Sequence, residues 1–413
     1  APTATPPPEL PGVWRPVCAT SEEALPLLLE GRGLLITGQP GTGKTFFARG
    51  LVQALCERGH VVDIITKCHG VVQNFGVGRV TADRWVQRHC KNGQPKCKYL
   101  FVDELSKINT ALCCHLGLVK GRGVTFVLLG DFRQFTATLD HWAGSSLKDD
   151  QLEKSQLLWE LADGNWLQLR EKRRSDPQLF DFCSGLDVRC DAVQLQQYLQ
   201  TARAQFPVRG RMANTHLVIP HRARTRINKV MNLEERERES IFVPAPKHCS
   251  ARNAPQDMWV WKGMRLIRAG EPCLKRMFYF VGEVSDSGIT LTDGHQLSLE
   301  QASRWLRLSY AITYASCQGL ILKGVVRLHM RSSHFTCRRL YVGCSRATSA
   351  ELLEVDGVLS DIIKNNASRM RLLLCCPAPS GETPDVQHLY PAPERSDRQG
   401  SRSRSREHTL PGQ

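Results

Sequence analysis

The chain of 413 residues holds 16 cysteines, yet no two of them stand as Cys-x-x-Cys. That absence removes the usual spacing of zinc ribbons and of dithiol redox centres. His89, Cys90 and Cys97, with Cys113, Cys114 and His115, form the densest grouping of such side chains. Their spacing fits no common tetrahedral site, so no structural zinc is expected. No apolar run reaches the roughly eighteen residues that a bilayer span needs, which argues against a membrane partner. No signal peptide is recognisable either, so the thiols are expected to be reduced, in an intracellular compartment. Acidic residues are in deficit, 40 against 55 Lys and Arg, and the formal balance of +15 favours a polyanionic partner. Nothing in the pattern speaks for an oligomeric state.

What is present begins at Gly38-Gln39-Pro40-Gly41-Thr42-Gly43-Lys44-Thr45, which fills every fixed position of the phosphate-binding loop G-x-x-x-x-G-K-[ST]. Leu34, Leu35 and Ile36 before it read as a buried strand. Phe46, Phe47, Ala48, Leu51, Val52 and Leu55 after it recur at helical spacing until Gly59. The order strand, glycine loop, helix turns backbone N–H groups inward around phosphates. Lys44 is then expected to reach the β- and γ-phosphates of ATP, and the Thr45 hydroxyl to hold Mg²⁺.

Three later segments bear on what hydrolysis would do. Lys98-Tyr-Leu-Phe-Val-Asp-Glu104 is an apolar strand ending in two carboxylates. Asp103 is suited to Mg²⁺ and Glu104 to polarising the attacking water. Val124 to Leu129 is a second buried strand that breaks at Gly130 and delivers Asp131 and Gln134 to the same edge of a parallel sheet, where ligands bind. Leu340 to Thr348 carries a single arginine, Arg346, among apolar and small residues. A cation in such surroundings needs a partner or a task, and the expected task is to reach the γ-phosphate as an arginine finger.

In this order, together with Tyr310-Ala-Ile-Thr-Tyr-Ala-Ser-Cys-Gln-Gly319, these segments resemble the motif series of superfamily 1 helicases. Gly-Asp-Phe-Arg-Gln134 and the ending Cys-Gln-Gly319 are most similar to the PIF/RecD-like branch, which moves 5′ to 3′ on single-stranded DNA. The likeness runs from about residue 30 to about residue 355. It implies that Gln318 and Gly319 lie against the nucleotide. It further implies nucleic-acid contacts at Thr66, Lys67, Thr81 and Trp85, and at His221, which opens the first helix of the second motor domain. A second phosphate-reaching arginine is implied at Arg174, with Arg173 as the alternative. Two departures bear on this. No glutamine stands between Trp14 and Arg32 to read adenine, and Ala315 and Ser316 replace a histidine and a lysine of the family pattern. An ATPase that remodels or clamps nucleic acid without unwinding, and an RNA helicase, are the rival readings.

The expected fold is α/β. Two RecA-like P-loop NTPase domains, parallel sheets flanked by helices, span 15–175 and 205–375, with a helical linker over 176–204. Short strands over about 245–300 suggest a small β-barrel-like insert, whose Trp259, Trp261, Phe278, Tyr279 and Phe280 either stack on bases or fill its core. Residues 1–14 read as a flexible Pro-rich leader, a processed end or an excerpt of a longer product, and 376–413 as a disordered Arg/Ser/Pro-rich tail.

Overall fold

Alternation within short apolar runs sorts the first lobe into its two faces. Leu34 and Ile36 pack into one core cluster and Leu35 into another, and the same division separates Tyr99 and Phe101 from Leu100 and Val102. Successive strand side chains point to opposite faces, so an unbroken apolar run is what a sheet covered on both sides requires. The computed structural model describes residues 13–17, 20–67, 79–91, 93–137, 140–142, 145–146, 151–173, 176–246, 254–269, 277–330, 332 and 334–355. Of the expected leader over 1–14, residues 1–12 lie outside the described residues, as do the tail from 376 and Arg174, whereas Trp14 packs against the first-lobe core beside Trp166.

In chain order the first lobe contains β1 (Arg15–Pro16), α1 (Ser21–Leu29), β2 (Leu34–Gly38), α2 (Lys44–Glu57), β3 (Val62–Thr66), β4 (Arg79–Thr81) and α3 (Ala82–Val86). It continues with β5 (Tyr99–Asp103), α4 (Thr110–Lys120), β6 (Thr125–Gly130), the short pair β7 (His141–Trp142) and β8 (Ser145–Ser146), α5 (Gln156–Leu161) and β9 (Asn165–Leu169). Seven strands pair in the order β1-β9-β2-β6-β5-β3-β4, all of them parallel. Helices α1 and α2 cover one face; α3, α4 and α5 cover the other. The carboxyl ends of β2, β5 and β6 therefore lie side by side, and that edge carries the site.

Two helices follow, α6 (Pro177–Ser184) and α7 (Ala192–Gln205). The Asp176 side chain accepts a hydrogen bond from Leu179 N at 2.8 Å and Pro177 fills the first helical position, so the start of α6 is written in its sequence. Both helices contribute Leu179, Cys183, Leu199 and Ala202 to the core beneath the second sheet.

That sheet is built from β10 (Thr215–Val218), then α8 (His221–Glu234), β11 (Ile241–Val243), β12 (Met258–Val260), β13 (Arg265–Arg268), β14 (Phe278–Ser285), β15 (Gly288–Leu291), β16 (Gln296–Ser298), α9 (Leu299–Trp305), β17 (Leu306–Leu308), β18 (Ala311–Thr313), α10 (Tyr314–Cys317), β19 (Val326–Leu328), α11 (Cys337–Cys344) and β20 (Leu353–Val355). The order β18-β10-β19-β20 is again parallel throughout. Helix α8 buries Arg224, Ile227, Asn228 and Met231 at helical spacing. Its Asn228 donates to Leu308 O and Ala311 O and accepts from Ala311 N, and Asn232 pairs both ways with the Trp259 backbone. Two asparagines thus fasten the second sheet and the insert to one helix.

The insert is an antiparallel sheet in the order β16-β15-β14-β13-β17, with β11 and β12 as a separate pair. Strands β16 and β17 end the order, so the described pairings leave it open instead of closing the expected barrel. Trp261 belongs to its core, Trp259 packs against that core beneath the Arg236 guanidinium, and Phe280 is exposed.

Candidate active site

The glycines of the phosphate loop are used where backbone geometry demands them. Gly43 has φ of 87°, and a Cβ there would stand 2.9 Å from Arg173 Cδ. The left-handed φ is what calls for glycine at the position from which α2 starts, while the Arg173 side chain can move aside. Lys44, next in sequence, is half-buried and donates to the carbonyls of Gly38 at 2.5 Å and Gln39 at 3.2 Å. Burial lowers its pKa, against the pull of Asp131, Glu104 and Asp103. Thr42 folds back onto Gln39 O, which braces the loop from inside.

Strand β5 ends on Asp103 and Glu104. Burial first, then the neighbouring Glu104 charge, pushes the Asp103 carboxyl up to about 7. A buried carboxyl held beside a second one is a site that a cation relieves. Thr45 and Asp103 line the same cleft, and a hydroxyl with a carboxylate is the hard oxygen set suited to Mg²⁺. Glu104 sits in the left-handed region with φ of 53°, one of two non-glycine residues there among the described residues. Its N–H donates to Asp103 Oδ1 at 2.8 Å and its carbonyl accepts from Lys107 N at 2.9 Å.

The opposite wall comes from the second lobe. Gly319, Ile321 and Arg346 line the cleft with Lys44, Thr45, Asp103, Glu104, Asp131, Gln134 and Arg173, around a volume of about 470 Å³, within the range of ligand sites. Arg346 is buried and is held by Leu320 O at 3.1 Å, Val342 O at 3.1 Å and Ser345 Oγ at 2.8 Å. Gln318 does not line the cleft, but its Nε2 donates to Glu104 Oε2 at 3.1 Å. Arg173, the alternative in the sequence reading, borders the cleft and is anchored by its N–H to Gly41 O at 2.9 Å. Pro40 and Gly41 also face the cleft, whereas Gln39 turns away to Ser184 on α6.

Sequence reasoning missed the seam beside the cleft. The Tyr341 hydroxyl donates to Asp131 Oδ2 at 2.7 Å, and Gln134 Nε2 donates to the same oxygen at 3.3 Å. The Arg133 guanidinium lies 4.5 Å above the Tyr341 ring while donating to Gln39 Oε1 at 2.8 Å. Arg338 donates to Phe132 O at 3.0 Å and to Gln134 O. One loop after β6 is thereby bound to α11 and to the phosphate loop together. The signal was available as Tyr341 and Arg338 one and two turns before Arg346, but the partner loop lies some 200 residues earlier.

The expected nucleic-acid contacts divide. Trp85 is 1% exposed and its indole donates to Asp63 Oδ2 at 2.8 Å, so it belongs to the core; the expected base contact is corrected. Thr66 is likewise buried, at the end of β3 between paired strands. Lys67 lies at the surface in an ion pair with Asp83 at 2.7 Å, Thr81 precedes α3, and His221 is exposed at the start of α8. Among the described residues no group of three or more His, Cys, Asp or Glu side chains is arranged to hold a metal, and no helix is long and apolar enough to cross a membrane. A second cavity of about 570 Å³ adjoins the cleft through Gly43, Phe46 and Arg173 and is further lined by Thr20, Arg49 and Gln53. Phe46 is 72% exposed at their junction.

Comparison with known proteins agrees with this architecture. The AAA domain family matches residues 23–157. The crystal structure of Pif1 helicase from Candida albicans superposes with a TM-score of 0.60 at 16% identity, covering 86% of this chain and 98% of that one. Bacteroides Pif1 bound to single-stranded DNA gives 0.56 at 15%, covering 85% and 97%. Pif1 from Bacteroides in complex with ADP-AlF3 and single-stranded DNA gives 0.55 at 17%, covering 85% and 96%. No curated protein matches the sequence. At these identities the likeness establishes a shared fold.

Proposed function

We propose that this chain, which has the fold of the Pif1 helicases, is an ATP-dependent DNA helicase that moves on single-stranded DNA, in the 5′ to 3′ direction. The observation that carries the reading is the common cleft: Lys44, Asp103 and Glu104 from one parallel sheet and Gly319 and Arg346 from another line a single volume. An ATPase whose two walls belong to two lobes has a means of converting hydrolysis into relative movement.

The chemistry is set by the side chains. Thr45 and Asp103 would hold Mg²⁺, which when bound supplies charge neutralisation on the triphosphate. Lys44, now on its own loop carbonyls, exchanges them for β- and γ-phosphate oxygens. Glu104 takes the proton of the attacking water. Gln134, whose buried Oε1 has no hydrogen-bond partner among the described residues and which lines the cleft, would read the γ-phosphate or that water. Arg346 steadies charge at the γ-phosphate from the far wall, with Arg173 or Arg174 as the second guanidinium. The neighbouring cavity suits the nucleobase, with the exposed Phe46 ring as a stacking face.

Lys44→Ala is expected to abolish nucleotide binding and turnover together. Glu104→Gln should keep nucleotide affinity and lower turnover by about 10²-fold or more, the usual worth of a general base. Phosphate release stimulated by single-stranded DNA that persists at the wild-type rate in both variants would overturn the assignment. A second reading, remodelling without strand separation, is favoured by Ser316, whose hydroxyl is engaged with Thr313 Oγ1 at 2.8 Å at the start of α10. Unwinding of a forked duplex, measured beside turnover on DNA and on RNA, separates that reading and the RNA helicase from the one proposed.

A further inference from the structure

The hydrogen bond from Gln318 to Glu104 joins residues 214 positions apart and crosses from the second lobe to the first. Its acceptor is the carboxylate assigned above to the attacking water, so any role for Gln318 at this bond rests on that assignment. Three contacts converge on Glu104: its N–H on Asp103, its carbonyl on Lys107 N, and its side chain on Gln318. A non-glycine residue persists in the left-handed region only where its surroundings over-determine it. The first two contacts are local. Only the third depends on the other lobe.

Gln318 is itself constrained. It is 2% exposed, and its Oε1 is buried with no hydrogen-bond partner among the described residues. It directly follows α10, a single turn capped by Thr313, whose Oγ1 accepts from Ser316 N at 3.3 Å. Thr313 ends β18, at the strand-end edge of the second sheet. The side chain that grips Glu104 is therefore the last link of a short rigid chain: strand end, cap, one helical turn, amide.

We propose that Gln318 is a restraining latch, which occupies the Glu104 carboxylate and keeps ATP turnover low until α10 moves. A carboxylate oxygen that accepts an amide N–H is engaged away from a water and is tied to the position of the far lobe. A strand of nucleic acid bound across the edge that carries Thr313 and Ser316 would displace α10 and withdraw the amide. Glu104 would then be free to take the proton of the attacking water. Stimulation by nucleic acid thus becomes the release of the restraint that Gln318 places on Glu104. Gln318 acts through Glu104 and is a positioning residue.

The test uses Gln318→Asn, whose amide is one methylene too short to reach, and Gln318→Leu, which has no donor. Turnover is measured without and with saturating single-stranded DNA, alongside affinity for a fluorescent ATP analogue. Both variants are expected to raise the DNA-free kcat about tenfold, with KM and nucleotide affinity unchanged and the DNA-stimulated kcat close to wild type, so that the stimulation ratio collapses. Affinity for the analogue reports that each variant is folded. If either variant binds the analogue normally and its DNA-free kcat is unchanged or reduced, the latch is overturned. Should Glu104→Gln leave wild-type turnover intact, the site assignment itself fails, a result distinct from any given by the Gln318 variants.

Discussion

Trp85 shows how a single residue is settled by its neighbours in space. A tryptophan after a strand end, beside Thr81, Asp83 and Arg84, reads as a ring offered to bases. The structure instead sets it in the core with Ala82, Val86 and Leu112 and satisfies its N–H with Asp63. An indole that finds both packing and a partner has nothing to offer a ligand. Trp85→Phe is therefore expected to lower stability by about 1–3 kcal/mol, through a lost hydrogen bond to a charged group, and to leave affinity for single-stranded DNA unchanged. Denaturant unfolding and fluorescence anisotropy measure the two quantities. Weakened DNA binding at unaltered stability would restore the surface role. Gly43 and Lys44 are the converse case, since the loop pattern specified them without help from tertiary structure.

Elements were most legible where both faces of a sheet are covered. β5 and β6 are buried along their whole length and β2 over residues 34–36, and each carries an apolar run. The insert was less legible, because hydrogen-bond closure between β16 and β17 is a matter of register and curvature that alternation does not encode. A consequence of pairing appears between β10 and the residue following β19. His216 Nδ1 lies 3.0 Å from His329 Nε2, and burial, then His329, then Arg327, holds His216 well below its ordinary value of 6.5. Below that pH the unfolded chain binds a proton that the folded chain refuses. The associated stability is thus complete above about pH 6.5 and is lost as the pH falls toward the folded value, at up to about 1.4 kcal/mol per pH unit. Unfolding free energies measured between pH 7.5 and about 5 should fall less steeply in His216→Asn than in the wild type. Parallel curves would remove His216 as the cause.

The described residues belong to one compact unit, in which two separately cored lobes share a cleft and a seam. If the γ-phosphate is held from both walls, a non-hydrolysable triphosphate should bind more tightly than the diphosphate. Each tenfold in affinity adds about 1.4 kcal/mol to stability at equal, saturating ligand concentration. In Arg346→Ala that difference is expected to shrink while diphosphate stabilisation remains. Calorimetry of the four ligand and variant combinations makes the comparison; an unchanged difference would take Arg346 out of contact with the γ-phosphate.

By itself the sequence determined the phosphate loop, the buried strands around it and the order of segments, because loop geometry, strand alternation and helix capping are local and act within a few residues. Only the tertiary structure decided that Trp85 is core, that the described strands of the insert run in the order β16-β15-β14-β13-β17, that Arg133, Asp131, Arg338 and Tyr341 form a seam, and that Gln318 holds Glu104. The seam and the Gln318 bond join residues about two hundred positions apart, and even Trp85 and Asp63 are 22 apart, so no local propensity carries that information.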